Sequence, residues 1–409
     1  MASAGTPSLT TRTAPRLMGM RIGSALLILW PLAVSPRLVP EDNGISVMRL
    51  GRAREVLEKA IASRTAAGAV GLIARSGRIV FLESAGEAAP GVRMPTDAIS
   101  RLASITKPVT AAAVLILLEQ GRILLSDPVA KYLPEFADMK TAEGAPAVRP
   151  ITIHDLLTHQ AGLASEGPEY EKLWDARTAR EFAAGMAKLP LRFQPGTRFE
   201  YGWAGSAYDV LTAVIEQITG ESYREFLARE VLGPLKMQDT FFFVPESKKP
   251  RLAAQYRKDS SGELAVFRAR GQEETPGVFY SGAGGLRSTV SDYFRFAQCL
   301  LNGGELEGVR ILSPRSVALM TSNQTATRYP NENYGWGLGI RVRTSPAGED
   351  LGSVGSYGWS GGTGTCFVVD PAERLIVIVF VPTVPRTPGV SDIQKAFVNA
   401  AYQSIVAGK

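Results

Sequence analysis

Short apolar runs near both ends of the chain predict β-strands. Two early runs are separated by Ser76-Gly77, which is typical of a β-hairpin turn. Two late runs are joined by the turn 370–373. The predicted strands are 69–74, 79–82, 336–342, 365–369 and 375–381. Because tight turns connect neighbouring runs, antiparallel pairing is expected.

Apolar residues at helical spacing predict most of the remaining elements. The segment 105–120 is apolar almost all round, so this helix should be central and buried, and Gly121 is its expected C-terminal cap. The predicted helices are 47–65, 105–120, 153–158, 179–189, 207–219, 222–232, 290–301 and 392–406.

Strands at both ends and helices between them predict an α/β (α+β) fold. We expect one antiparallel sheet, built from the N- and C-terminal segments and flanked by helices, with an inserted all-helical lobe. The expected boundaries are 46–100 and 276–409 for the sheet-containing lobe and 101–275 for the mainly helical lobe. A cleft between two lobes is the default position of an active site.

The first 45 residues have a different character. Three arginines precede the apolar run 22–34, which is too short to span a bilayer comfortably. This pattern fits either a secretory signal or a disordered extension. The protein is periplasmic or secreted in the first case and cytoplasmic in the second. No later stretch predicts a stable membrane span.

Composition narrows the chemistry. Hydrophobic residues make up 45% of the 409 residues and charged residues 21%, as in ordinary globular proteins. The formal charge of +6 is spread along the chain without a recognition motif, so no nucleic-acid partner is expected. The two cysteines and two histidines (His154 and His159) form no zinc pattern, and no cofactor or metal is expected. We interpret both histidines as structural.

Two serine motifs compete for the nucleophile. Gly358-Trp-Ser-Gly-Gly362 is a literal G-x-S-x-G, but that motif needs a following helix and a later histidine. Here a strand hairpin follows, and no histidine occurs after His159. Ser360 is therefore interpreted as part of a glycine-rich strand edge.

The second motif is the S-x-x-K tetrad Ser104-Ile-Thr-Lys107, at the start of the buried helix. Residues three apart share one helix face, so the lysine amine lies within reach of the serine hydroxyl. Burial disfavours the charged form of a lysine, and a neutral amine can accept the serine proton. Alternatively, the lysine stays charged and lowers the pKa of a nearby tyrosine. Either route activates a serine without histidine.

These residues resemble the serine β-lactamase-like hydrolases, which include class C β-lactamases, D,D-peptidases and family VIII carboxylesterases. The resemblance covers roughly residues 50 to 405. Its boxes are Ser104-Ile-Thr-Lys107, the stretch 151–163 (ITIHDLLTHQAGL), the stretch 193–201 (FQPGTRFEY), and the stretches 284–292 and 302–313.

The resemblance implies a role for each matching position. Ser104 is the nucleophile, Lys107 the general base or base-tuner, and Tyr201 the proton relay. Backbone N–H groups of Ser104 and Gly362 form the oxyanion hole. Trp359-Ser360-Gly361 occupies the third box, on the strand that edges the cleft, and we expect this box and Trp203 to contact substrate.

Two departures from the family pattern favour an ester substrate. Class C β-lactamases carry an asparagine two residues after the box tyrosine, where this chain has Trp203. β-Lactamases also begin the third box with a lysine, whereas this chain has the uncharged Trp359. Family VIII esterases likewise carry a tryptophan in this box. We therefore expect a small-molecule ester, with short acyl chains. The alternatives are a β-lactamase, a D,D-peptidase or D-aminopeptidase, an acyltransferase, or a sensor that is acylated without turnover.

Overall fold

The computed structural model describes residues 42–202, 206–267, 279–348, 350–384 and 389–406. The expected substrate contact of Trp203 and nearly all of the N-terminal extension lie outside the described residues.

An eight-stranded antiparallel sheet forms the centre of the fold, in the order β10-β11-β12-β13-β14-β1-β2-β3. Three further two-stranded pairs, β4–β7, β5–β6 and β8–β9, lie outside it. The strands are β1 Gly68–Arg75, β2 Arg78–Ala89, β3 Val92–Arg93, β4 Ser100–Arg101, β5 Tyr256–Lys258, β6 Leu264–Val266, β7 Arg287–Ser288, β8 Glu305–Leu306, β9 Val309–Arg310, β10 Tyr334–Trp336, β11 Arg341–Arg343, β12 Tyr357–Gly361, β13 Thr365–Asp370 and β14 Leu375–Phe380.

The predicted union of the two chain ends is confirmed in the middle of this sheet. Strand β1 pairs with β14, and Val70 lies opposite Phe380. Every residue of both strands is buried, because helices cover both faces of the sheet. The β1–β2 turn contains Ser76 and Gly77, both with positive φ, as a two-residue hairpin turn of the I′ type requires.

The described residues form ten α-helices. They are α1 Val47–Ala62, α2 Lys107–Glu119, α3 Ile153–Leu157, α4 Pro168–Glu171, α5 Ala179–Met186, α6 Ser206–Thr219, α7 Tyr223–Leu227, α8 Val290–Leu301, α9 Pro314–Met320 and α10 Val390–Gln403. Helices α1 and α10 pack together on one face, where Phe397 fills the space that a side chain at Gly71 would need. Helix α8 packs against the other face, and its Tyr293 contacts Phe367 of β13.

Helix α2 is as buried as its composition predicts. All residues from Lys107 to Leu117 are buried, and the helix ends before Gly121, which has a φ of 69°. Apolar side chains cover the whole circumference, so the helix needs packing partners on every side. It therefore forms the central column of the helical part of the molecule.

The prediction of one strand over 336–342 is wrong. The chain instead forms two strands, β10 and β11, which pair with each other across a reversal at residues 337–340. Gly339 has a φ of 79°, and a Cβ there would lie 2.9 Å from the carbonyl oxygen of Lys107. Only glycine combines this conformation with so close an approach to α2. The apolar run thus concealed a turn that packs against the start of α2.

Two further findings concern membrane-spanning helices and metal sites. No helix in the described part of the chain is long and apolar enough to cross a membrane. Within the same residues, no cluster of three His, Cys, Asp or Glu side chains is arranged to hold a metal ion. The division into two lobes stays a prediction.

Candidate active site

Ser104 and Lys107 lie together at the beginning of α2. Ser104 is half-buried in a 3₁₀ turn, Ala103–Thr106, that leads directly into the helix. The Lys107 Nζ lies 3.0 Å from the Ser104 Oγ. Ala103 has a φ of 47°, an uncommon value for a residue other than glycine, and it sets the direction from which Ser104 enters the turn. The predicted juxtaposition of hydroxyl and amine is present.

The lysine is enclosed by protein. Lys107 is only 1% exposed, and its Nζ donates a hydrogen bond to the carbonyl oxygen of Ala283 at 2.8 Å. The same nitrogen lies 5.1 Å from the ring centroid of Tyr201 and 5.8 Å from that of Tyr208. Aromatic faces at this distance attract a cation. The amine is therefore held between a serine hydroxyl, a peptide carbonyl and two phenol rings.

Tyr201 reaches this group from the segment before α6. Its ring is half-buried, and its hydroxyl accepts a hydrogen bond of 2.9 Å from the indole Nε1 of Trp359. The two ring centroids are 5.0 Å apart. The structure thus brings Ser104, Lys107, Tyr201 and Trp359 into one continuous set of contacts.

The next residue of the third box, Ser360, occupies a different position. Side chains alternate between the two faces of a strand, so Ser360 points away from the side on which Trp359 meets Tyr201. Ser360 lies opposite Cys366 of β13. Both line a cavity of about 230 Å³ together with Gln394 and Lys395 of α10. The Ser360 side chain is not brought to Lys107, and its contact with substrate stays a prediction.

The glycines of the box place the end of β12 beside the nucleophile. A Cβ on Gly361 would lie 2.3 Å from the carbonyl oxygen of Leu102, so only glycine allows this approach. Hydrogen bonds from Thr363 Oγ1 to Arg101 O (2.5 Å) and from Thr365 Oγ1 to Leu102 O (2.7 Å) tie the two segments together. No atom of the residues that the structure describes lies within 4 Å of the Cβ position of Gly362, so these residues leave space open beside it.

His159 lies under the tyrosine and is closer to the site than its sequence pattern indicated. Its ring centroid is 4.6 Å from that of Tyr201, and its carbonyl oxygen accepts the amide of Glu200 at 2.9 Å. The side chain is buried, and its Nε2 has no hydrogen-bond partner among the described residues. Burial, with the charge of Lys107 as a second cause, lowers the pKa of His159 well below its usual value, so the imidazole is neutral. The neutral ring supports Tyr201 by packing.

Asp209 is a member of the site that the sequence pattern did not predict. This carboxylate lies on α6, is 2% exposed, and accepts hydrogen bonds from Ser281 Oγ at 2.7 Å and from the amide of Ala283 at 3.1 Å. Burial raises the pKa of Asp209 to about 6, although these hydrogen bonds and Lys107 oppose the shift. The sequence signal was weak, because an acidic residue in the first turn of a helix is common for reasons of helix polarity alone.

Comparisons with known proteins all lead to the same group of hydrolases. The beta-lactamase family model matches residues 53–399. Esterase EstB of Burkholderia gladioli is 30% identical over 361 residues, which are 80% of this chain and 89% of that protein. A putative D-alanyl-D-alanine carboxypeptidase of Escherichia coli O157:H7 is 28% identical over 394 residues, or 87% of each chain. The solved structure of EstCE1, a hydrolase with promiscuous acyltransferase activity, is 26% identical and superposes with a TM-score of 0.76, covering 87% of this chain and 99% of that one.

Proposed function

The chain belongs to the beta-lactamase family and is a serine hydrolase, and on that premise we propose that it cleaves carboxylic esters with short acyl chains through an acyl-enzyme on Ser104. The observation that carries the proposal is the contact set around Lys107 and Tyr201, which ends at the uncharged indole of Trp359. The similarity to an esterase named EstB supports the choice of substrate class.

Acylation begins at the serine. Ser104 Oγ attacks the ester carbonyl carbon, and its proton passes to Lys107 Nζ, 3.0 Å away. The negative charge on the carbonyl oxygen is stabilised by the backbone N–H groups of Ser104 and Gly362. When the bond to the alcohol breaks, Tyr201 supplies the proton that the departing alcohol needs.

Deacylation reverses these transfers with water in place of the alcohol. Tyr201, now a phenolate, takes a proton from water as the water oxygen attacks the acyl carbon. The acyl–Ser104 bond breaks, Lys107 returns its proton to the serine oxygen, and a carboxylic acid leaves. All protons are accounted for without an imidazole, which agrees with the neutral, packed state of His159.

The indole explains the preference for esters over β-lactams. The Nε1–H of Trp359 is committed to the Tyr201 hydroxyl, and its ring packs beside the phenol. No ammonium occupies this position, so the carboxylate of a β-lactam lacks a counter-charge there. A desolvated anion without a partner is costly to bind, whereas a neutral ester has no such cost.

The direct test compares kcat/KM for p-nitrophenyl butyrate with that for a chromogenic cephalosporin on the purified protein. Ester cleavage should be far faster, and Ser104→Ala should abolish it while the circular dichroism spectrum stays unchanged. Cephalosporin cleavage that greatly exceeds ester cleavage would refute the substrate assignment and leave the nucleophile in place.

Two further arms separate the alternatives. Release of D-alanine from a D-Ala-D-Ala peptide at a rate above that of the ester would identify a peptidase, and transfer of the acyl group to an added alcohol would identify an acyltransferase. A mass-spectrometric time course completes the comparison: an adduct on Ser104 that persists without released product would indicate a sensor.

A further inference from the structure

We propose that Asp209 is a positioning residue: it acts through the backbone of Ala283 to hold the Lys107 amine toward Ser104, and its charge favours the protonated form of that amine. The proposal rests on the proposed function only in taking Lys107 as the acceptor of the Ser104 proton.

Asp209 and Lys107 are linked by two hydrogen bonds to the backbone of one residue, Ala283. The Ala283 amide donates to Asp209 Oδ1 at 3.1 Å, and the carbonyl oxygen of the same residue accepts from Lys107 Nζ at 2.8 Å. A carboxylate on the N–H side of this residue and an ammonium on its C=O side hold the backbone in one orientation. Rotation of the segment would break both contacts together.

The segment around Ala283 is tied down on both sides. Ser281 Oγ donates to Asp209 Oδ1 at 2.7 Å, and Thr110 Oγ1 on α2 donates to the Gly282 carbonyl at 2.7 Å. A few residues on, the Leu102 amide donates to the Leu286 carbonyl at 2.8 Å, next to the nucleophile turn. The carboxylate therefore lies at the centre of a network that joins α6, α2 and the strand before Ser104.

Asp209 and Lys107 also interact as charges. Both are buried, at 2% and 1% exposure, so water screens them little. Among the described residues, the other titratable groups whose charges bear on Asp209 are Tyr170 and Tyr223, each neutral because burial raises the pKa of its hydroxyl above the usual value. In the described part of the chain, the remaining titratable groups near Lys107 are the neutral His159 and the tyrosines 201 and 208. Asp209 thus supplies the negative charge that offsets the lysine.

The proposal predicts a change in pH dependence that a damaged fold would not produce. If Asp209 favours the ammonium, its removal lets Lys107 lose a proton at lower pH. The Asp209 carboxylate is ionised only above about pH 6. On the rising limb of the profile above that pH, a serine activated by the neutral amine should then react faster in the variant than in the wild type. Damage to the fold slows the reaction at every pH.

The test measures the labelling of Ser104 by a fluorophosphonate across pH 5 to 10 in the full-length protein. Ser104 Oγ forms a bond to phosphorus, the P–F bond breaks, fluoride leaves and the serine proton passes to Lys107. This probe needs no ester substrate. If the protein labels but hydrolyses no ester, the proposed function fails while the inference about Asp209 is still tested.

Two variants separate the effect of the Asp209 charge from the effect of its hydrogen bond to Ala283. Asp209→Asn keeps an oxygen to accept from Ala283 but removes the charge, so the rising limb of its profile should move about one unit to lower pH with a plateau within about fivefold of wild type. Asp209→Ala removes the acceptor as well, so its plateau should fall at least about tenfold.

The matched control is Asp292→Asn on α8. Asp292 is another nearly buried carboxylate, and it accepts from the Asp239 amide and from Thr240 Oγ1. Its profile should superimpose on that of the wild type. The inference is overturned if the Asp209→Asn limb does not move, moves to higher pH, or moves equally in Asp292→Asn. If Asp209→Ala does not fold, the limb of Asp209→Asn decides alone.

Discussion

The buried carboxylate that organises Lys107 should make the protein less stable, and Asp209→Asn measures by how much. Burial raises the pKa of Asp209 to about 6, against an ordinary value of 3.8. A raised carboxyl pKa means that the folded protein binds the proton more tightly than the unfolded chain does between these two values. Stability from this group is therefore present at low pH and is lost as the pH rises from about 4 to about 6.

The magnitude follows from the same two values. Each pKa unit corresponds to about 1.4 kcal/mol, so two units give about 3 kcal/mol of lost unfolding free energy above pH 6. Asparagine carries no charge at any pH and keeps an oxygen for the Ser281 and Ala283 donors. Asparagine at position 209 removes the negative charge beside the Lys107 ammonium, which costs some stability. About 3 kcal/mol is therefore the upper limit of the increase in unfolding free energy.

The assay is equilibrium urea unfolding of wild type and Asp209→Asn at pH 4 and pH 7.5, followed by far-ultraviolet circular dichroism. The variant should be more stable than wild type at pH 7.5, and the difference should shrink at pH 4. The comparison between the two proteins cancels the other titrating groups. A difference that is the same at both pH values, or a variant that is less stable only at pH 7.5, would refute the claim that an ionised carboxylate is buried at a cost.

The remaining predictions concern the nucleophile and the third box. Ser104→Ala should abolish p-nitrophenyl butyrate turnover with an unchanged circular dichroism spectrum; near-normal activity in this variant, paired with loss in Ser360→Ala, would reverse the assignment. Ser360→Ala should keep most of its kcat, because its side chain lies on the face of β12 away from Tyr201; a loss as large as that of Ser104→Ala would contradict this placement. Trp359→Phe removes the hydrogen bond to the Tyr201 hydroxyl and should lower kcat about tenfold, near 1.4 kcal/mol, with an unchanged kcat counting against a role for this bond. Gly361→Ala places a methyl group 2.3 Å from the Leu102 carbonyl oxygen and should lower both the melting temperature and the labelling of Ser104 by a fluorophosphonate; wild-type values would show that the strand moves freely from the nucleophile turn.

Several long-range features of the fold follow from the residue pattern alone. Apolar runs at the two chain ends predicted one antiparallel sheet, and β1 pairs with β14 in its centre. The all-apolar pattern of 105–120 predicted a central helix, and α2 is buried from Lys107 to Leu117. These predictions succeeded because burial on all sides demands an apolar side chain at nearly every position, whatever the neighbouring elements are.

Other features had no local signal. The strand predicted over 336–342 is a reversal, because the apolar run does not reveal that Gly339 meets the carbonyl of Lys107. The bond between Trp359 and Tyr201 joins residues 158 positions apart. Asp209 looked like an ordinary acidic residue of a helix N-terminus, and its partners on the 281–283 segment are contributed by packing alone.

The sequence by itself determined the short-range chemistry of this protein: a serine and a lysine three residues apart at the start of a helix lie on the same side, because both 3₁₀ and α-helical turns bring positions three apart together. Tertiary structure alone decided which groups gather near the amine, namely a phenol from one segment, an indole from a distant strand that bonds to this phenol, and a carboxylate that acts through the backbone of Ala283. Such contacts depend on how complete elements pack against one another, and no spacing within a single element encodes them.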